Sequence, residues 1–287
     1  MGLNLATFYS EVGPGENLLF HYTSFETAKD KIIENNSLRF SPLSNSSDYV
    51  EESNFFVKCG VPICQDIHER INSEIQKFIK ICCFASEASS MEDDYLPGMM
   101  LSRMWCQYAG NQRGVCLVFD KAKLLSNIRE QIDAAHVEMQ RVKYSQVPHI
   151  ANNTSSASIT LSKTPEDQLQ VESNQFPTLF RHPILQNIIF SKMKDFRDEK
   201  ECRIAIYDPI EGYSMYDYKD ALKAIVLGAK ISLEESVVKT FAEKGILIYQ
   251  MKIIATRSIT ETNFLFPDHD PHYELVKIPN PIDKINL

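Results

Sequence analysis

Apolar and polar positions change their period several times along this chain. LLFHYT (18–23) is a short β-favouring run, and in FETAKDKIIENN after it Phe25, Ala28, Ile32 and Ile33 form a helical stripe. Ser24 stands where an N-cap belongs, with Glu26 and Thr27 in the first turn, where negative charge and acceptors suit the unpaired amides. SLRFSPL (37–43) returns as a second strand, stopped by Pro42 and an Asn/Ser/Asp turn at 44–48. The opening unit is strand–helix–strand.

A helix is predicted at about 65–80, leading into the strand KICCFAS. Residues 86–99 then form an acidic loop punctuated by Ser and Gly. LSRMWCQYAG reads as a helical piece, NQR as a turn, GVCLVFD as a strand and KAKLLSNIREQIDAAHVEMQRV as one continuous helix. Asn, Ser, Thr and Pro dominate 146–178, which reads as a long excursion or insertion, at about 146–180. PTLFRHPILQNIIFSKMKDF looks helical after Pro183, and ECRIAIYD (201–208) alternates as a half-buried strand does. LKAIVLGAKIS is a strand ending in a Gly turn, LEESVVKTFAEKG a helix and ILIYQMKIIA a further strand. No repeat of solenoid period is present. The expected fold is α+β, a mixed β-sheet core with surrounding helices in a single domain over 1–287.

At 287 residues with 44% hydrophobic and 24% charged residues, the chain is long and apolar enough to fold without staples. Its net charge of −8 gives no overall electrostatic footprint for duplex nucleic acid. Seven cysteines at irregular spacing, several inside apolar runs, read as reduced core thiols. The N-terminal stretch lacks the pattern of a secretory signal, and no segment has ~18 uncharged apolar residues for a bilayer. These features lead us to expect a cytoplasmic protein with no membrane partner.

Motifs for a dinucleotide fold, P-loop, zinc protease, nucleophile elbow or EF-hand are absent. The seven histidines are dispersed, and His269 with His272 fall in a Pro/Asp turn that reads as solvated, so no metal ligands are expected. Three clusters hold candidate chemistry. His21-Tyr22-Thr23 end the first strand, where an imidazole reaches a cleft and can donate to a sugar hydroxyl, or can be satisfied by backbone. Trp105 and Tyr108, one helical turn apart, can share a face, and we expect both to be chiefly structural, packing the helix on the sheet, with at most one edge in a cleft. Glu199, Glu201 and Arg203 open a strand. If it starts at about Glu199, these three face one way and Cys202, Ile204 and Ile206 face the core, with Arg203 offsetting carboxylate repulsion or the charges forming a solvated edge.

Taken in order, FHYTSFETAKDKIIENNSLRFSPLSNSSDYVEES, ICCFASE, MWCQYAGNQRGVCLVFD, KMKDFRDEKECRIAI and AIVLGAKIS resemble a widespread bacterial domain family of unknown function. Its pattern includes MW-x-x-YA-x-x-x-x-GV-x-L-x-FD and K-x-x-x-W-x-x-E-x-E-x-R. Phe196 stands where the family often has Trp, and Ser44 to Asp48 loosen its N-D turn. More distantly, the order His-bearing strand, helix, strand with Phe40-Ser41 and late Glu-bearing strand is similar to the ADP-ribosyltransferase superfamily.

That likeness implies NAD as substrate, held by His21, Tyr22, Thr23, Arg39, Phe40, Ser41, Trp105, Tyr108 and Arg203. It implies a Glu-x-Glu pair at Glu199 and Glu201, with Glu201 catalytic and Glu199 serving the acceptor. Nicotinamide–ribose cleavage passes through an oxocarbenium-like centre, which a fixed carboxylate stabilises without a metal. We therefore expect an NAD-dependent ADP-ribosyltransferase or NAD-consuming effector, as in toxin–antitoxin or phage-defence systems. A protein or nucleic-acid acceptor and an antitoxin or regulator are its implied partners. A catalytically silent nucleotide- or partner-binding module is the alternative. A metal-dependent nuclease using Asp48, Glu51, Glu199 and Glu201 comes last, since Arg203 opposes a cation. The transferase reading expects His21, Tyr22 and Glu201 at one concave site.

Overall fold

In the computed structural model, residues 5–45, 73–87, 97–145, 180–181, 183–254 and 272–279 are described. They form a mixed α+β structure in two compact units: 1–35, 87–121 and 220–287 make the first, 36–86 and 122–219 the second. The excursion expected at 146–180 lies almost wholly outside the described residues.

The first unit is built on a sheet of order β12-β11-β10-β4-β1, with β1 Leu18–Thr23, β4 Val115–Asp120, β10 Leu222–Leu227, β11 Leu247–Ile254 and β12 His272–Lys277. Its pairings are antiparallel except β10 with β11, and the helix Glu235–Glu243 makes that parallel crossover. β1, β4 and β10 are rich in apolar residues, and Leu18–Phe20, Val115–Phe119 and Ala224–Leu227 are buried. The helix after β1 begins as predicted: the Ser24 hydroxyl accepts from the Thr27 N–H at 3.1 Å, and Ala28, Ile32 and Ile33 are buried. It widens to a π-helix over Ala28–Ile33. The helix Leu5–Val12 is fastened by Phe8, whose ring meets Tyr249 edge-on at 4.9 Å.

The second unit carries an antiparallel sheet of order β9-β2-β3-β8-β5, from β2 Ser37–Pro42, β3 Ile79–Ser86, β5 Val137–Arg141, β8 Glu201–Tyr207 and β9 Ser214–Asp217. Ile81 and Ala205 of the sheet pack with Leu185, Ile189 and Phe190 in its core. A two-stranded parallel ribbon, β6 Lys143–Ser145 with β7 Ser191–Met193, completes the unit.

Two expected helices are shorter than the pattern suggested. The one opening at Lys121 ends at Arg129, and VEMQR (137–141) forms β5 instead. Pairing with β8 there supplies five residues of backbone ladder, outweighing a weak helical preference. The helix at Pro183 stops at Ile189, and β7 and a 3₁₀ segment, Lys194–Glu199, follow.

β3 also buries one charge. Lys80 is fully inaccessible, with its Nζ donating to Ser214 Oγ at 2.5 Å and lying 3.4 Å from Asp208 Oδ2. Ser214 and Tyr216 donate to the same carboxylate. Burial pushes the Asp208 carboxyl up, but these donors and Lys80 outweigh that and hold it below its ordinary value. Lys80→Met strands Asp208 without its cation, and we expect a loss of ~3–5 kcal/mol in chemical denaturation.

Candidate functional site

The second unit holds a compact buried charge network at the start of β8. Lys200 takes a left-handed conformation (φ 46°) between the 3₁₀ segment and the strand, so the strand starts at Glu201 and Glu199 ends the segment before it. The expected run of three same-facing residues from Glu199 is thus broken. Nor is this a solvated edge, because β8 runs between β3 and β5 and every one of its residues is buried.

Glu201 and Arg203 are 5% and 1% exposed. Arg203 donates from Nε to Glu201 Oε1 at 2.6 Å and from Nη2 to Oε2 at 3.1 Å, a bidentate fork. Its Nη1 donates to the Ile189 carbonyl at 2.7 Å, at the end of the covering helix. Lys192 Nζ reaches Glu199 Oε2 at 2.8 Å and Glu201 Oε2 at 3.3 Å, above the Phe196 ring at 4.5 Å from its centroid. The Tyr144 hydroxyl accepts from the Glu201 N–H at 2.8 Å. Burial alone would push the Glu201 carboxyl up, but the Arg203 charge and hydrogen bonds, then Lys192 and the Cys83 thiol, bring it down to about 2. Glu201 is ionised at neutral pH.

The residues at the K, W, E, E and R positions of K-x-x-x-W-x-x-E-x-E-x-R are thus Lys192, Phe196, Glu199, Glu201 and Arg203, all members of one network. Ser41 pairs with Ile81 and Ile81 with Ala205, so the register turns Ser41, Arg203 and Glu201 to the same side of the sheet. Arg39 shares the Ser41 side of β2 and is exposed, its guanidinium 4.4 Å from the centroid of the Tyr213 ring. Phe40 faces the other way and is fully buried against Tyr216.

In the first unit, His21 and Thr23 are half-buried at the end of β1, and Tyr22 between them is buried. The Tyr22 hydroxyl donates to the Gly98 carbonyl at 2.5 Å, and its ring meets Trp105 edge-on at 5.1 Å. Trp105 is fully buried, with Nε1 donating to the Met99 carbonyl at 2.7 Å. Tyr108, just past the helix Ser102–Gln107, is 37% exposed, so the two rings expected to share a face differ sharply in access. Next to these residues Glu87 is clasped by Tyr9, whose hydroxyl donates at 2.5 Å, and by the Gly98 N–H at 2.7 Å. A Cβ on Gly15 would lie 1.7 Å from Glu87 Oε2, so a side chain there would have to displace that carboxylate.

Each unit therefore gathers part of the expected set: His21, Tyr22, Thr23, Trp105 and Tyr108 in the first, Arg39, Phe40, Ser41, Glu199, Glu201 and Arg203 in the second. Lys192, Tyr144 and Cys83 were missed. The lysine was legible as the first position of the pattern that ends at Arg203, whereas the tyrosine had no signal, following a segment read as helix. Asp48 and Glu51 lie outside the described residues. Among the described residues no group of three or more His, Cys, Asp or Glu is placed to hold a metal, and no helix is long and apolar enough to cross a membrane.

Comparison with known proteins adds one match. A family model described as a protein of unknown function (DUF2971) covers residues 104–204. No curated protein and no solved structure matches the chain. The matched span, just over a third of the chain, supports an uncharacterised domain family there. It opens at Met104 beside Trp105 and closes just past Arg203, so the buried tryptophan and Tyr144, Lys192, Phe196, Glu199, Glu201 and Arg203 fall inside it.

Two outcomes follow. Trp105→Ala should cost ~3–5 kcal/mol in a denaturation experiment, the loss of a packed aromatic. The Glu201 carboxyl is depressed in the folded chain, so its contribution is complete above the unfolded value of about 4.5 and is lost as pH falls toward about 2. Unfolding free energies of wild type and Glu201→Gln between pH 7 and pH 2 should therefore converge, the acid-labile difference being on the order of 3 kcal/mol.

Proposed function

We propose that the protein binds NAD and consumes it by ADP-ribosyl transfer to a protein or nucleic-acid acceptor, or to water. The observation that carries this reading is Glu201: a carboxylate held ionised and fixed, two residues after a second buried glutamate, on the same sheet side as Ser41. In the proposed step the nicotinamide–ribose bond breaks and its electron pair leaves with neutral nicotinamide. The acceptor oxygen bonds to the ribose carbon and its proton passes to solvent water. Glu201 accepts from a ribose hydroxyl and stabilises the positive charge that develops on the ring. Oε2 is the oxygen for this role, since its Lys192 contact is the longest in the network.

One observation favours a second reading. Both Glu201 oxygens are already engaged by cations, and a catalytically silent nucleotide-binding module has no need to free either. Release of nicotinamide separates the two readings, because each expects binding.

Purified protein with excess NAD should melt at higher temperature, by an amount that grows with ligand concentration, and should release nicotinamide. Glu201→Gln, assayed below its own melting point, should lower kcat/KM by about 10²–10³, as removal of one transition-state stabiliser does. Glu199→Gln should keep NAD hydrolysis and impair transfer. A melting shift without nicotinamide, with any acceptor, would favour the silent module, and no shift at all would remove NAD from the account.

A further inference from the structure

One ammonium serves two buried carboxylates in this network, and its position comes from a separate piece of the fold. Lys192 lies on β7 directly opposite Tyr144 on β6, in a ribbon of only two short strands. That ribbon delivers both groups to the glutamates: Lys192 Nζ to Glu199 Oε2 and Glu201 Oε2, the Tyr144 hydroxyl to the Glu201 N–H. The two lysine contacts are unequal, 2.8 Å to Glu199 and 3.3 Å to Glu201. The Phe196 ring beneath the ammonium adds a second, non-titrating anchor.

From this we infer that Lys192 is a positioning residue: it keeps Glu199 and Glu201 together as carboxylates, holding Glu199 while yielding Glu201 Oε2 to a substrate hydroxyl. The inference rests on the NAD-consuming reading for the identity of that hydroxyl. The physical need is plain. Without Lys192 the cation common to both is lost, and like charge between two buried carboxylates two residues apart drives one of them to bind a proton. The groups that face Glu201 are Arg203 on its own strand, Cys83 on β3, Tyr144 on β6, Lys192 on β7 and Glu199 on the preceding segment. Of these, Lys192 is the cation seen in contact with both carboxylates.

The test is a ¹³C NMR titration of glutamate side-chain carboxyls in wild type, Lys192→Met and Lys192→Arg, with nicotinamide release measured across the same pH range. In Lys192→Met the Glu201 signal should titrate more than one pH unit above wild type. Any acidic limb of the pH–rate profile should move the same way, with kcat reduced at least tenfold and KM little changed. Lys192→Arg should restore the wild-type titration. Lys192→Gln, which keeps a hydrogen-bond donor, replaces the methionine variant if that does not fold. An unchanged Glu201 titration in a folded, lysine-free variant overturns the inference, because a merely structural lysine would alter melting without altering protonation. A shifted titration with no nicotinamide release from wild type supports the role of Lys192 and overturns the NAD reading instead.

Discussion

The ion pair between Glu201 and Arg203 is the constraint around which the second unit is arranged. Removing two charges from water is costly, and the mutual attraction offsets that only with good geometry and with the remaining donors satisfied. Here the guanidinium forks onto the carboxylate and spends another donor on the Ile189 carbonyl, so the helix Pro183–Ile189 is tied to the sheet through a charge as well as through its apolar side. The Glu201 carbonyl accepts from the Val142 N–H, and its N–H donates to Tyr144, so strand, ribbon and connecting segment all meet at one residue. Lys80 and Asp208 repeat the device on β3 and the residue after β8, there with the Ser214 and Tyr216 hydroxyls donating to the carboxylate. A sheet carrying two buried ion pairs has a pairing register that slippage by one residue would ruin.

Much of this was readable as sequence, where side-chain periodicity and burial agree. LLFHYT, SLRFSP, KICCFAS and VCLVFD are strands within a residue or so of the apolar runs that predict them, because each is buried and ends at a turn signal. The failures fall where the local pattern is indifferent. HVEMQRV has apolar residues two apart but follows a good helix without a Gly or Pro to stop it, and only pairing with β8 decides the matter. At Glu199-Lys200-Glu201 the left-handed Lys200 moves the strand start by two residues, which no propensity signals for a lysine.

The site was legible by residue type more than by environment. Glu199, Glu201 and Arg203 are brought together as the sequence implied, but in the interior, since β8 has a strand on each edge and a helix across it. Trp105 is buried, as its expected packing role implies, and Phe40 and Tyr22 are buried too, with edge-on partners Tyr22 for Trp105, Tyr216 for Phe40 and Trp105 for Tyr22. An amphipathic ring looks the same in a sequence whether its polar tip meets a ligand or, as for Trp105, a backbone carbonyl. On the Glu201 side of the second unit, Arg39 and Cys83 keep access to solvent, and their types carried little specific signal.

Whether the saturated carboxylate can open to a substrate is the question on which the functional account turns. A crystal structure of the protein soaked with NAD addresses it directly. The account predicts a ribose hydroxyl donating to Glu201 Oε2, with Lys192 withdrawn onto Glu199 and the Arg203 fork intact. Bound nucleotide elsewhere on the chain, with Glu201 still held by both Arg203 and Lys192, would contradict it.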